Sequence, residues 1–272
     1  MMLARIFPAV AFAVAASIGA CSILHAAEPQ TDDAHNESRS KLWHLVHDIC
    51  VPAAAKATYP PSPCAEVDAA ERAAQGYAVL KDRSGRFQYL VMPLARITGI
   101  ESPALLAADA PNYFADAWNA RFYVEAARHL ALPRDALVVI VNSTQGRSQD
   151  HLHLHVGCIR PEVRDALRRL LPTLDEQWRT LPQPLPPDGQ KYRARWAAGE
   201  SLSINPFKSL ASALSAGDRM ALHSLVMTGA RSADGQPGFI LLSARADAVK
   251  GDRGNSDELQ DLDCAVADEV AH

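Results

Sequence analysis

The sequence lacks a lysine- or arginine-rich block, has few aromatic residues at 6%, and contains no Cys-x-x-Cys pair. With a formal net charge of -4, the missing basic block excludes a general nucleic-acid binder. The missing Cys-x-x-Cys excludes zinc-ribbon and thioredoxin-type chemistry. No internal repeat or low-complexity tract is present, so a solenoid is excluded as well. What remains is an ordinary globular composition: 272 residues, 48% hydrophobic and 21% charged, enough to bury a sizeable core. Of the eighteen prolines, nine cluster at positions 52–63 and 172–187 and predict rigid connections there.

The N-terminus carries a separate signal. Arg5 precedes an apolar run from Ile6 to Leu24, and Ala26-Ala27 follows. The run is about 19 residues long, close to the ~20 that a spanning helix needs. Residues 1–27 are therefore expected to act as a signal or membrane anchor, retained as a single-pass anchor. Cleavage near Ala27 and lipid attachment at Cys21 in Ile18-Gly19-Ala20-Cys21 are the alternatives. All three export the rest of the chain. Residues 28–40 are polar and read as a tether.

Export changes the meaning of the cysteines. Apart from Cys21, the chain has Cys50, Cys64, Cys158 and Cys264, an even number in an oxidising compartment. Proximity favours Cys50 with Cys64, which would stabilise by ~3 kcal/mol by closing a short loop. Cys158 would then tie Cys264 and the C-terminal tail to the centre of the chain. The other two pairings remain open.

Periodicity gives the remaining layout. Lys41 to Cys50 is predicted as a short helix, with Leu42, Leu45, Val46 and Ile49 on one face, and Pro52 to Pro63 as loop. Two runs rich in β-formers, Gly76–Leu80 and Phe87–Met92, flank the turn Asp82-Arg-Ser-Gly85 and predict a hairpin. Asn112 to Leu130 reads as one helix, stopped before Pro133. Ala136–Val141 is a central strand, Asn142–Asp150 a polar loop, and Pro161 opens another helix. Ser203–Ala213 reads as helix, and Ala221–Gly229 with Gly238–Ala244 as a hairpin turning near Asp234-Gly235. The fold class is α+β with a mainly antiparallel sheet. It comprises a catalytic domain over 41–181 and a smaller α+β extension over 182–272 packed on it.

The most informative segment is His151-Leu-His-Leu-His155-Val156. Its period-two alternation predicts a strand with Leu152, Leu154 and Val156 on the core face and three imidazoles lining an open surface. Three groups that can each acquire charge are hard to justify on one face by packing alone. One reading is a three-histidine metal site, since imidazole is the commonest zinc ligand. The metallo-β-lactamase pattern needs an aspartate where Leu154 stands. The other is nucleophilic catalysis at phosphorus, in which a neutral imidazole attacks and neighbouring donors stabilise the phosphate oxygens. The upstream loop Asn142-Ser-Thr-Gln-Gly-Arg-Ser-Gln149, dense in neutral donors with the single cation Arg147, favours phosphorus. Asp150 reads as a strand-entry residue.

His-Leu-His-Leu-His-Val resembles the signature of the histidine-triad superfamily, with Gly157 departing from the usual apolar residue. The surrounding blocks are Pro61–Val67, Gly76–Asp82, Ile97–Pro103, Asn142-Ser onward and Cys158-Ile-Arg-Pro161. In order, they resemble the bacterial CDP-diacylglycerol pyrophosphatase family. The resemblance implies a histidine-triad-like fold and hydrolysis of CDP-diacylglycerol at a membrane, with the anchor in a bacterial inner membrane and the catalytic domain in the periplasm. It requires no cofactor, no metal, no nucleic acid and no protein partner. It implies His153 as nucleophile, His155 as the group that orients nucleophile or phosphate, and His151 as a contact to the bridging or a phosphate oxygen. Asn142, Ser143, Arg147 and Gln149 are the expected substrate-binding residues. Lys81, Arg96, Arg160 and Lys208, and Tyr77, Phe87 and Tyr89, have solvated or core roles at least as natural as contacts to diphosphate or base. Two rivals stand beside this reading: an exported hydrolase of soluble nucleotides or nucleotide-sugars, and a periplasmic three-histidine metal-binding module.

Overall fold

β-Branched and aliphatic runs separated by turns build a sheet in which every pairing is antiparallel. A computed structural model describes residues 37–69 and 75–269. The signal or anchor expected over 1–27, and most of the tether, lie outside the described residues. No helix among the described residues is long and apolar enough to cross a membrane.

The strands are β1 (Cys64–Asp68), β2 (Tyr77–Lys81), β3 (Tyr89–Pro93), β4 (Leu137–Val141), β5 (Leu154–Ile159), β6 (Arg179–Thr180), β7 (Arg193–Ala198), β8 (Leu225–Arg231), β9 (Pro237–Ser243) and β10 (Gln260–Asp261). They run β1-β2-β3-β5-β4-β8-β9-β7-β6 across one ten-stranded sheet, with β10 added beside the end of β5. β8 pairs directly with β4, so strands from the C-terminal third continue the same sheet. The fold is α+β, as expected, and both expected hairpins form, as β2–β3 and β8–β9.

Three corrections concern local structure. The helix expected over 41–50 runs on through α1 (Lys41–His44), a π-helical turn at Leu45–Cys50 and α2 (Val51–Ala55). Pro52 lies in the first turn of α2 instead of opening a loop; the wider π turn ahead of it suits a residue without an N–H. The helix expected over 112–130 is divided at Ala120 into α3 (Tyr113–Asn119) and α4 (Arg121–Arg128). The histidine strand is hydrogen-bonded as a strand only from Leu154, so His151 and His153 precede it. Sequence periodicity also passed over β1 and β7, whose short mixed patterns carry no clean alternation. The remaining helices are α5 (Pro161–Leu170) and α6 (Pro206–Ser212). α6 is capped by Asn205, whose Oδ1 accepts from the backbone N–H groups of Phe207 and Lys208.

Both faces of the sheet are covered. One face buries Leu152, Leu154 and Val156 with Phe114 and Trp118 of α3 and Phe207 of α6. The other carries two separate apolar clusters. Val46, Cys50, Leu80, Leu90 and Met92 pack under the N-terminal helices, while Val138, Ile140, Ile159, Val163 and Leu167 pack under α5. In register, His155 stands between Leu90 of β3 and Ile140 of β4. The histidines therefore occupy the seam between the two clusters. Cys50 is bonded to Cys64 and Cys158 to Cys264, the pairing that proximity favoured.

Candidate active site

The alternation read from the sequence holds even where the strand does not, because backbone contacts fix residues 151–153 in place. The Leu152 N–H donates to the Ile97 carbonyl at 2.7 Å, and the Asp150 N–H donates to the Arg39 carbonyl at 2.8 Å. The leucines enter the core and the imidazoles take the opposite face. That face is not open: His151 is fully buried and His153 is 7% exposed. Trp43 of α1 packs edge-on against His151 with ring centroids 5.3 Å apart, and the Arg96 guanidinium lies over the Trp43 ring. The open surface expected from alternation alone is thus closed by an N-terminal segment distant in sequence.

Each histidine has a different environment. Nε2 of His151 is 3.0 Å from the Pro93 carbonyl and donates to it, which leaves Nδ1 as a buried acceptor without a partner. Nδ1 of His153 lies 2.6 Å from the His151 carbonyl, so Nδ1 carries the proton and Nε2 keeps its lone pair. Burial and the neighbouring His155 push the pKa of His153 down to about 4. Burial likewise pushes His151 down to about 4. Both are neutral at pH 7.

His155 behaves oppositely. Burial disfavours its charge, yet its pKa is raised, because two carboxylates flank the ring. Asp82 stands 3.6 Å from Nδ1, and Asp257 stands 3.9 Å from Nε2. The His153 and His155 rings meet edge to face with centroids 5.1 Å apart. The seam thus holds one neutral imidazole with a free Nε2 beside one imidazole biased toward the cation. That pairing suits attack on an electron-poor centre whose oxygens carry negative charge.

Of the loop residues expected to bind substrate, Asn142 alone reaches this cluster, and it does so indirectly. Its Nδ2 donates to Asp257 Oδ2 at 2.9 Å, and its Oδ1 accepts the Ser256 N–H at 2.9 Å. Ser143 donates to the Arg253 carbonyl and accepts from the N–H groups of Gln145 and Gly146. The Arg147 guanidinium is buried and shared among Glu101, Asp150 and Thr144. Gln149 accepts from the Leu42 N–H and donates to the Ser38 carbonyl, pinning the N-terminal segment. The donors of Ser143, Arg147 and Gln149 are thus taken up within the protein. Sequence reasoning treated them as free because their partners lie in segments far along the chain. Asp150, read as a strand-entry residue, is in fact a bidentate partner of Arg39.

Three residues of the site were not read from the sequence: Trp43, Asp82 in this role, and Asp257. Asp82 looked like turn chemistry, and it does that too, accepting the Ser84 N–H at 3.0 Å. Asp257 sits in a tail with no periodicity to mark it. The departure at Gly157 also finds a cause. A Cβ there would meet Gln260 Nε2 at 2.6 Å, so glycine admits the C-terminal strand beside β5.

The chain matches the family model described as CDP-diacylglycerol pyrophosphatase over residues 37–268. It is similar to the CDP-diacylglycerol pyrophosphatase of Yersinia pestis, with 38% identity over 227 residues, covering 83% of this chain and 84% of that relative. The match runs through the N-terminal helices, the histidine strand and the C-terminal segment that supplies Asp257. The chain belongs to the CDP-diacylglycerol pyrophosphatase family and is a hydrolase.

Proposed function

We propose that the protein hydrolyses the diphosphate bond of CDP-diacylglycerol to CMP and phosphatidate through a nucleotidyl-histidine. The observation that carries this reading is the Nδ1 contact of His153 to the His151 carbonyl, which leaves Nε2 neutral and free to attack. Nε2 bonds to the phosphorus that bears cytidine, and the bond from that phosphorus to the bridging oxygen breaks. Phosphatidate departs with the bridging oxygen. Water then attacks the same phosphorus, releases CMP and restores neutral His153. The leaving phosphate monoester has a second pKa of ~6, so departure needs no strong general acid. His155 neutralises the phosphate oxygens through its ring N–H, and His151 orients His153 through its carbonyl.

Ser143, Arg147 and Gln149 hold the loop and the N-terminal segment, and Asn142 acts through Asp257. The apolar N-terminal run acts as a single-pass anchor in the bacterial inner membrane, keeping a periplasmic site near a lipid substrate whose tails are fixed there.

The test is acid-quenched turnover of substrate radiolabelled in the cytidine phosphate. Label is expected on the protein, and His153→Ala should lose both label and turnover. Near-normal turnover by that variant would refute the mechanism. Faster hydrolysis of CDP-choline than of CDP-diacylglycerol would move the substrate to soluble nucleotides.

A further inference from the structure

His155 is bracketed by two carboxylates from opposite ends of the chain, and their settings differ. Asp82, at the end of β2, is 13% exposed, and its other oxygen is fixed by the Ser84 N–H. Lys81 beside it spends its ammonium on the Asp82 and Gly85 carbonyls and leaves the Asp82 carboxylate to the imidazole. Asp257 is 40% exposed. It is steered by Asn142, itself 4% exposed and anchored on the Ser256 N–H. Its Oδ1 faces His155 Nε2 at 3.9 Å without a hydrogen bond of its own. That is the ring nitrogen a phosphate oxygen would need.

We propose that Asp82 and Asp257 are positioning residues that hold His155 as the imidazolium partner of the scissile diphosphate. Asp82 does so throughout turnover, and Asp257 is a place-holder carboxylate that the substrate displaces. The inference rests on the function proposed above and adds a division of labour to it. An imidazolium enclosed there needs a counter-charge before substrate binds, and Asp257 supplies it until a phosphate arrives. The partly exposed position of Asp257 allows it to give way, whereas the enclosed Asp82 stays. Among the described residues, the charged and titratable groups facing His155 are His153 just ahead of its strand, Asp82 with Lys81 from the β2–β3 turn, and Asp257 from the C-terminal segment; β4 presents apolar Ile140.

The proposal is tested by NMR titration of the His155 ring in the substrate-free protein, for wild type, Asp82→Asn, Asp257→Asn and Asp82→Glu. Removing one carboxylate at this distance should lower the His155 midpoint by about one pH unit, and Asp82→Glu should restore most of it. The alkaline limb of kcat/KM should move down with the midpoint in Asp82→Asn. Asp257→Asn should lower KM for CDP-diacylglycerol severalfold, because a repelling carboxylate is gone. An unmoved His155 midpoint in the Asn variants would overturn the proposal, and so would an unchanged or raised KM in Asp257→Asn. If Asp82→Asn fails to fold, Asp257→Asn and Asp82→Glu still carry the titration. The titration uses no substrate, so its failure is distinct from failure to label His153, which would instead refute the nucleophile assignment.

Discussion

Two polar loops border the histidine seam, residues 142–150 and 252–261, and they are built on opposite principles. In the first, the charges are paired: Arg147 bridges Glu101 and Asp150, and Asp150 also takes Arg39. Hydrogen bonding to Arg39 and Arg147 outweighs burial and pulls Asp150 down to about 2. In the second, polar atoms are buried without full compensation. Asp257 Oδ1 and Gln260 Nε2 lack partners, and burial pushes Glu258 up to about 7 despite the hydrogen bond from Tyr192. A loop that satisfies itself is scaffold. A loop that leaves acceptors and donors open beside an active-site imidazole is where a ligand completes the structure. The loop richer in donors by sequence is therefore the one with less to offer a substrate.

The strongest way to break this comparison is to cut the tether of the second loop. The Cys158–Cys264 link spans 106 residues and the Cys50–Cys64 link spans 14. On the chain-entropy model the paired Cys158→Ala and Cys264→Ala change should lower unfolding free energy by about 4–5 kcal/mol, against about 3 for Cys50→Ala with Cys64→Ala. Urea unfolding measures both. At temperatures where both variants stay folded, the first should also lower the His155 titration midpoint more, because Asp257 depends on that segment. Equal shifts of that midpoint would mean that the second loop has no special role. Next in size is Arg147→Ala, which leaves Glu101 and Asp150 facing each other across a buried gap. It should cost about 3 kcal/mol in urea unfolding. A loss under about 1 kcal/mol would show that the first loop is not held by its charges.

Much of this layout was legible in the sequence, and the failures share a cause. The buried strand at 137–141 and the hairpin signals at 82–85 and 234–235 are local patterns, and each led to the right element, while the period-two run at 151–156 led to the right face but to a strand that begins only at Leu154. The three histidines were visible because alternation is a property of neighbours. The covering of their face by Trp43 depends on the packing of α1, and the carboxylates at the two ends of the His155 ring depend on β3 joining β2 to β5 and on the C-terminal tail pairing with β5. Those pairings leave no period in the sequence. For the same reason the loop at 142–149 looked like a free donor set. Its composition is local, but its partners Ser38, Glu101 and Arg253 are not.

The two smallest predictions use pH to separate the loops. Glu258 has a folded pKa raised to about 7 by burial, against ~4.3 unfolded. Its contribution is therefore fully favourable below about pH 4 and is lost as pH rises through 7. Glu258→Gln should raise stability at pH 8 by about 2 kcal/mol and leave it unchanged at pH 4. The glutamine oxygen can still accept from Tyr192, so the gain reports the charge alone. Asp150 has the reverse sign. Its folded pKa is depressed to about 2, so its contribution is present above its unfolded value of ~3.9 and disappears as pH falls through 2. At 31% side-chain exposure, solvent screens part of that pairing. Asp150→Asn should therefore cost only about 1 kcal/mol at pH 6, and nothing at pH 2. Melting curves of the two variants from pH 2 to 8 should leave wild type in opposite directions, Asp150→Asn downward as pH rises through 2 to 4 and Glu258→Gln upward as pH rises through 4 to 7. Departures of the same sign would mean that the two loops are not electrostatic opposites, and the division between scaffold and ligand-facing loop would lose its physical basis.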